Sequence, residues 1–270
     1  MAFLALPQPY DFDVSTERFR AFGPDLANLW HDGGLHRVVG GREVRVAEAP
    51  GGVDVEPMDE EIRGVVLKLL GAEFELDPFY AWAAEQPVLG SLVLQLAGFR
   101  PPLGPDPFET LVTSITAQQV SLFAAFAIRN RMIERFGVRG NHAYAFPPPE
   151  RLAGAGEDEL VAVGFSRRKA EYVLGLARAD LDYPALAALG DDEVRSRLTA
   201  IRGLGPWTAD WFLARHLARP RAWPAGDLGL RKAARVLYGL DVHKLGRRLD
   251  PFQNLSAHYL LTGMRVVAAA

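Results

Sequence analysis

Apolar residues recur with two different periods along this chain, and the change from one to the other divides it. Near the start the period is two. Leu35 to Val39, Glu43 to Ala49 and Gly52 to Pro57 carry alternating or β-branched residues, and Gly40-Gly41 and Pro50-Gly51 between them are hairpin signals. Three antiparallel strands are predicted there. Pro7-Gln8-Pro9-Tyr10-Asp11-Phe12 is an extended opening. Thr16 to Leu29 places Phe19, Phe22, Leu26 and Leu29 on one face and is predicted as a helix interrupted at Gly23-Pro24. Ile62 to Leu70 alternates poorly and fits either a strand or a helix.

From Asp77 onward the period becomes helical. Pro78 to Glu85 and Val88 to Leu96 predict two short helices, followed by a rigid connector from Arg100 to Pro107. Asp106-Pro107 opens a longer helix through Phe108, Leu111, Val112 and Ile115. After Ala117-Gln118-Gln119-Val120-Ser121 a second one runs from Leu122 to Phe136 and stops at Gly137. Three prolines, Pro147 to Pro149, lead into a predicted helix from Glu150 to Val163. Gly164-Phe165-Ser166 then turns into another over Arg167 to Ala179, with Ser166 as its cap, and Pro251 to Arg265 closes the pattern. The predicted fold class is mainly α with an N-terminal α+β subdomain: residues 1–75 form a small antiparallel sheet with helix, and residues 76–270 are helical.

The stretch from Leu198 to Leu230 breaks the helical rhythm twice. Leu198 and Ile201 close a short amphipathic helix, after which Gly203 and Gly205 flank the single apolar residue Leu204. Glycine accepts the positive φ of a tight hairpin and leaves backbone N–H groups uncovered. Pro206 suits the first turn of a new helix through Trp207, Ala209, Trp211, Phe212 and Leu213. The free amides at that helix start form a small anion site suited to a phosphate. Trp223-Pro224-Ala225-Gly226 makes the second break, before Asp227 and a helix from Leu228 to Leu237. Asp227 is then either a helix N-cap, where aspartate is favoured, or an acid placed for chemistry beside the hairpin.

Composition narrows the chemistry. Without cysteine there are no disulfides, thiolate zinc sites or cysteine-ligated iron–sulfur clusters. The six histidines show no metal-ligand spacing, and no Gly-rich nucleotide loop is present. A formal net charge of −3 is unlike that of most nucleic-acid binders. It is unevenly spread, however: Ile201 to Arg248 holds ten Lys and Arg against three Asp, a local balance of +7. Such a cluster suits either a solvated face or DNA contact. No charged leader precedes Met1-Ala2-Phe3 and no apolar run is long enough to span a bilayer, so the expected location is the cytoplasm, with nucleoid DNA within reach.

The segment 198–230, with GLGPWTA followed by Pro224 and Asp227, resembles the helix-hairpin-helix signature of DNA glycosylases. The similarity extends further. Phe108-Glu109-Thr110-Leu111 with Ile115 and Ala117 to Ser121 resembles the helix and loop that carry a DNA-inserting residue, and Gly164-Phe165-Ser166 with Lys169-Ala170 resembles a second turn. With Pro9-Tyr10-Asp11-Phe12 and the small sheet, the chain is similar to the 3-methyladenine DNA glycosylase II (AlkA-like) branch. That resemblance implies a helix-hairpin-helix glycosylase fold, with two helical subdomains flanking a DNA-binding cleft, the hairpin unit at 198–213 and a catalytic aspartate loop at 223–230.

The family's roles transfer position by position. Asp227 is expected to be the catalytic carboxylate that stabilises positive charge on the sugar. Gly203, Gly205, Thr208 and Ser166 are expected at DNA phosphate, and Gln119, with Gln118 beside it, fills the gap left by a flipped nucleotide. A glutamine pair that merely caps a helix junction is the alternative for the last two. Trp207 and Trp211 share one helix face and offer rings to an electron-poor base, although Trp211 fits equally well as a core residue. Trp207 stands where bifunctional members have a nucleophilic lysine, so no lyase step is expected. Leu228 and Leu261 replace aromatic pocket residues, which implies a wider pocket. His258 and Tyr259 fit either surface or pocket. No cofactor is implied; a monovalent cation on the hairpin carbonyls is compatible with the family. The expected partner is damaged double-stranded DNA, bound by a monomer. The implied activity is monofunctional excision of alkylated bases such as 3-methyladenine, 7-methylguanine or ethenoadenine. Excision of deaminated or oxidised bases, and a non-catalytic helix-hairpin-helix DNA binder, remain alternatives.

Overall fold

The computed structural model describes residues 1–266; residues 267–270 of the predicted helical domain lie outside them. The N-terminal region is a five-stranded antiparallel sheet: β1 (Ala2–Ala5), β2 (Leu29–His31), β3 (Gly34–Val39), β4 (Arg42–Ala49) and β5 (Gly52–Glu56), in the order β1-β5-β4-β3-β2. The three predicted strands form its centre, with Leu35 opposite Val46 and Val46 opposite Val55. These residues are buried on one face against Ile62, Val66 and Leu69 of a helix at Glu60–Leu69. The ambiguous segment is therefore helical. Asp59 caps it by accepting from Ile62 N at 2.9 Å, and its apolar spacing of three and four seats one stripe on the sheet.

The helix predicted over Thr16 to Leu29 does not form. Instead α1 spans Phe12–Thr16, a 3₁₀ turn covers Glu17–Phe19, and the chain bends at Gly23 before entering β2. The reason is local competition for backbone amides: the Asp25 carboxylate accepts from Ala27 N at 3.1 Å and closes a turn just after Pro24. The edge strands β1 and β2 lacked an alternation long enough to read.

With α2 as Glu60–Leu69, the helical part continues as α3 (Leu76–Ala83), α4 (Pro87–Gln95), α5 (Pro107–Ala117) and α6 (Leu122–Phe136). A small hairpin, β6 (Val138–Arg139) and β7 (Tyr144–Ala145), precedes α7 (Pro149–Ala153), α8 (Glu157–Ala162) and α9 (Arg167–Ala177). Next come α10 (Tyr183–Ala187), α11 (Asp191–Thr199), α12 (Pro206–Arg215), α13 (Leu228–Tyr238), α14 (Val242–Arg248) and α15 (Gln253–Val266). The single helix predicted over Glu150 to Val163 is two, α7 and α8. Glycines interrupt it, and Glu159 Oε2 accepts from Gly156 N at 3.1 Å to start the second.

Two apolar cores organise these helices. One is built within α5 to α12 around Phe108, Ile115, Ile133, Val173 and Phe212. The other joins α3 and α4 to α13, α14 and α15 around Phe79, Leu89, Leu230, Leu245 and Tyr259. Each fully buried side chain of this size contributes on the order of 2 kcal/mol. The chain thus leaves one subdomain at Pro101 to Pro107, builds the second, and returns after α12, leaving a cleft between them. A buried ion network fastens the sheet beside that cleft. Arg37 of β3 reaches Glu109 of α5 at 2.7 Å, and Arg129 of α6 pairs with both Glu109 and Asp25.

Candidate active site

The hairpin between α11 and α12 is built on a left-handed turn. Gly203 has φ +95°, and a Cβ there would overlap the ring of Tyr172, so glycine is required by conformation and by packing. Gly205 precedes α12 and Pro206 opens it. The amides of Trp207 and Thr208 therefore fall in the first helical turn, where no carbonyl of the helix can receive them. They border a cleft of about 470 Å³ that is also lined by Ser166, Lys169, Gln118 and Gln119. Thr208 is only 1% exposed and its hydroxyl has no partner, so its backbone amide is the group suited to a phosphate oxygen. Ser166 is exposed at the cleft and caps α9 by accepting from Lys169 N at 3.3 Å.

The connector between α5 and α6 faces this cleft. Gln118 Nε2 donates to Gly203 O at 2.9 Å, tying the connector to the hairpin. Gln119 is exposed and adopts φ 56°, a left-handed conformation uncommon for a residue with a side chain. Val120, Leu122 and Phe123 beside it are exposed apolar residues. Among the described residues no group of three His, Asp or Glu side chains converges on a metal position. With Gly203 O engaged by Gln118, a monovalent cation at the hairpin would rest on its other carbonyls.

A cavity of about 960 Å³ opens between the two helical subdomains. Asp227, Trp207, Trp211, Leu228, Leu261, Gln118 and Gln119 all line it, although they come from four separate segments. Asp227 caps a helix and also lies at the cavity wall. Its Oδ1 accepts from Leu230 N at 2.9 Å and caps α13, while Oδ2 accepts from the Trp211 indole N–H at 3.1 Å. Two directional donors hold the carboxylate at the cavity wall without neutralising it. Gly229 permits this closeness: a Cβ there would come within 2.9 Å of Leu261 and 3.1 Å of Asp227 Oδ1.

The two tryptophans differ. Trp207 is half-buried, packed against Gly226. Trp211 is 4% exposed, with the Arg215 guanidinium 3.9 Å above its ring and His258 against its edge. It positions Asp227 and has one face already covered. His258 and Tyr259 are both core residues, and Tyr259 Oη donates to Phe99 O at 2.8 Å. Burial, reinforced by the Arg215 charge, pushes the His258 pKa well down, so its imidazole is neutral. Leu228 is exposed at the cavity mouth and Leu261 is partly buried.

Several polar lining residues carried no signal in the sequence: Arg18, Asp25, Arg129 and Arg265 reach the cavity from distant segments, joined by Glu109 of α5. Arg215 was within reach of inference, because it stands four residues after Trp211 on one helix face.

Residues 112–249 match the HhH-GPD superfamily of base excision DNA repair proteins. The chain belongs to that superfamily. Among its relatives, the DNA-3-methyladenine glycosylase of Bacillus subtilis is 31% identical over 200 residues, covering 70% of this chain and 66% of that protein. The solved 3-methyladenine DNA glycosylase of Archaeoglobus fulgidus superposes over 99% of both chains with a TM-score of 0.88 at 26% identity. The Schizosaccharomyces pombe 3-methyladenine DNA glycosylase, solved with abasic DNA, matches 68% of this chain and 94% of that one, with a TM-score of 0.59 and 27% identity. The matched stretch spans less than two thirds of the curated relatives, 66% of the first and 57% of the next. This HhH-GPD protein thus has the helix-hairpin-helix glycosylase fold, mainly helical with its antiparallel sheet at the N-terminus.

Proposed function

We propose that this HhH-GPD protein is a monofunctional DNA glycosylase that hydrolyses the N-glycosidic bond of flipped-out alkylated bases and leaves an abasic site. The observation that carries this is the Asp227 carboxylate, held by Trp211 and Leu230 N at the wall of a cavity deep enough for a base and adjoining the hairpin cleft. In this reading damaged double-stranded DNA, reached in the cytoplasm, lies across the cleft. Hairpin amides grip a phosphate, and Gln119 enters the space that the extruded nucleotide vacates. The C1′–N bond breaks with its electron pair leaving on the base. Asp227 stabilises the oxocarbenium-like sugar, water adds at C1′, and its proton passes to the carboxylate or to solvent.

The names of the relatives support alkylated purines as substrates. A hydrolytic step without strand cleavage is supported by the cavity wall: among the described residues no lysine lines it, and Trp207 stands after the hairpin. A non-catalytic DNA binder draws on the cap bond from Leu230 N to Asp227. One variant decides between the two. Asp227→Asn keeps the cap acceptor but turns an NH2 toward the Trp211 indole N–H, so its melting temperature should fall only by the worth of about one hydrogen bond, while release of 3-methyladenine or 7-methylguanine from duplex DNA should fall by about a hundredfold or more. Undiminished release by Asp227→Asn would leave the carboxylate as a cap alone.

A further inference from the structure

The charged groups lining the cavity do not pair off completely. Asp25 and Glu109 are taken by Arg129, Glu109 also by Arg37, and Arg265 is bound to Glu17 at 2.6 Å. That leaves Asp227 with two guanidinium groups, Arg18 and Arg215. Neither makes a side-chain hydrogen bond or ion pair among the described residues, and Arg215 Nε is buried with no partner. Arg215 also lies over Trp211, so that face of the ring is closed to a stacking base. Burial lowers the pKa of both arginines, Arg265 adding to this at Arg18 and Arg18 at Arg215, while the Asp227 carboxylate opposes it at each.

Resting on the glycosylase reading above, we propose that Arg18 and Arg215 form a donor wall that selects neutral damaged bases with acceptor edges over bases that carry a fixed positive charge. A guanidinium presents N–H groups in a planar fork, which matches ring-nitrogen and carbonyl acceptors on a base edge. A desolvated donor without a partner is costly, so a ligand that supplies acceptors gains what the empty cavity lacks. The same donors help the reaction. When a neutral base departs, the electron pair of the broken C1′–N bond makes it an anion until it takes a proton, and the two guanidiniums stabilise that developing charge. A cationic base leaves neutral, needs no such help, and instead meets like charge on entry. Trp207, the less buried tryptophan, remains available as a stacking surface for either.

Single-turnover release from duplexes carrying 1,N6-ethenoadenine, which is neutral, or 7-methylguanine, which is a fixed cation, tests this in wild type, Arg18→Gln and Arg215→Met. The expected result is that wild type releases ethenoadenine and that each variant loses about tenfold or more of that activity. In Arg215→Met, release of 7-methylguanine should rise relative to that of ethenoadenine, because one like charge is gone from the cavity. Arg215→Lys should fall between, keeping the charge and losing the fork. Binding of each variant to a duplex with an abasic-site analogue reports that the fold is intact. Equal losses on both lesions, or an unchanged ratio, overturn the donor wall. A wild type that releases 7-methylguanine but no ethenoadenine overturns it while the glycosylase reading stands; a wild type that releases neither overturns both.

Discussion

At the scale of single residues, the site turns on how Asp227 is held. One oxygen caps a helix and the other receives an indole N–H, so its orientation depends on a side chain sixteen positions away. Trp211→Phe removes that N–H while keeping an aromatic ring beneath Arg215. Base release should slow by about tenfold, the worth of one hydrogen bond to a charged group, with pH dependence unchanged in form. A single-turnover rate equal to wild type would show that the cap bond alone orients the carboxylate. Asp227, Gly203, Gly205 and Trp207 were legible because a tight hairpin and a helix start are local events, written in consecutive residues. Arg18 and Arg265 were not, since nothing near either residue records what the fold brings to it. Trp211 was legible as a residue near the site, but its task was not: only the structure shows its ring under Arg215 and its N–H on the acid.

Among the elements, the same division between local and remote causes holds. The helices α5, α6, α9 and α12 and the strands β3, β4 and β5 follow from period and punctuation. The failed prediction at Thr16 to Leu29 traces to Asp25, whose carboxylate both closes a turn and meets Arg129 of α6. Burial alone would raise the Asp25 pKa, but the Arg129 charge and the hydrogen bonds from Asn28, Arg129 and Ala27 outweigh it and hold the group low. Arg129 therefore fastens three elements at once: the turn before β2, α5 through Glu109, and its own helix. Arg129→Met would leave the buried Asp25 without its charge partner and Glu109 with Arg37 alone, and should cost about 3–5 kcal/mol in urea unfolding. A loss below about 1 kcal/mol would mean that water enters to replace the pair.

For the whole molecule, acid sensitivity follows from buried histidines. His216, stacked on Phe212 with Nδ1 donating to Gly104 O at 2.7 Å, has its pKa lowered to about 4 by burial and secondarily by Lys68. The unfolded chain therefore binds a proton that the folded one refuses. Stability from this group is complete above about pH 6.5 and is lost as pH falls toward 4. His258 acts in the same direction. Melting temperature should fall steadily across that window, and His216→Asn should flatten the slope by up to about one proton; a flat profile in wild type would contradict neutral burial. The two-core arrangement has a further consequence, for how the protein is made. α3 and α4 emerge from the ribosome well before α13 and α15, the helices that complete their core and one wall of the cavity. The hairpin subdomain between them draws its core almost wholly from one contiguous stretch, Phe108 to Ala222, with Ala27 added from the already synthesised N-terminal region. During synthesis the hairpin cleft is therefore assembled before the larger cavity, and the nascent chain has its helix-hairpin-helix half before the wall that carries α13 and α15 is in place.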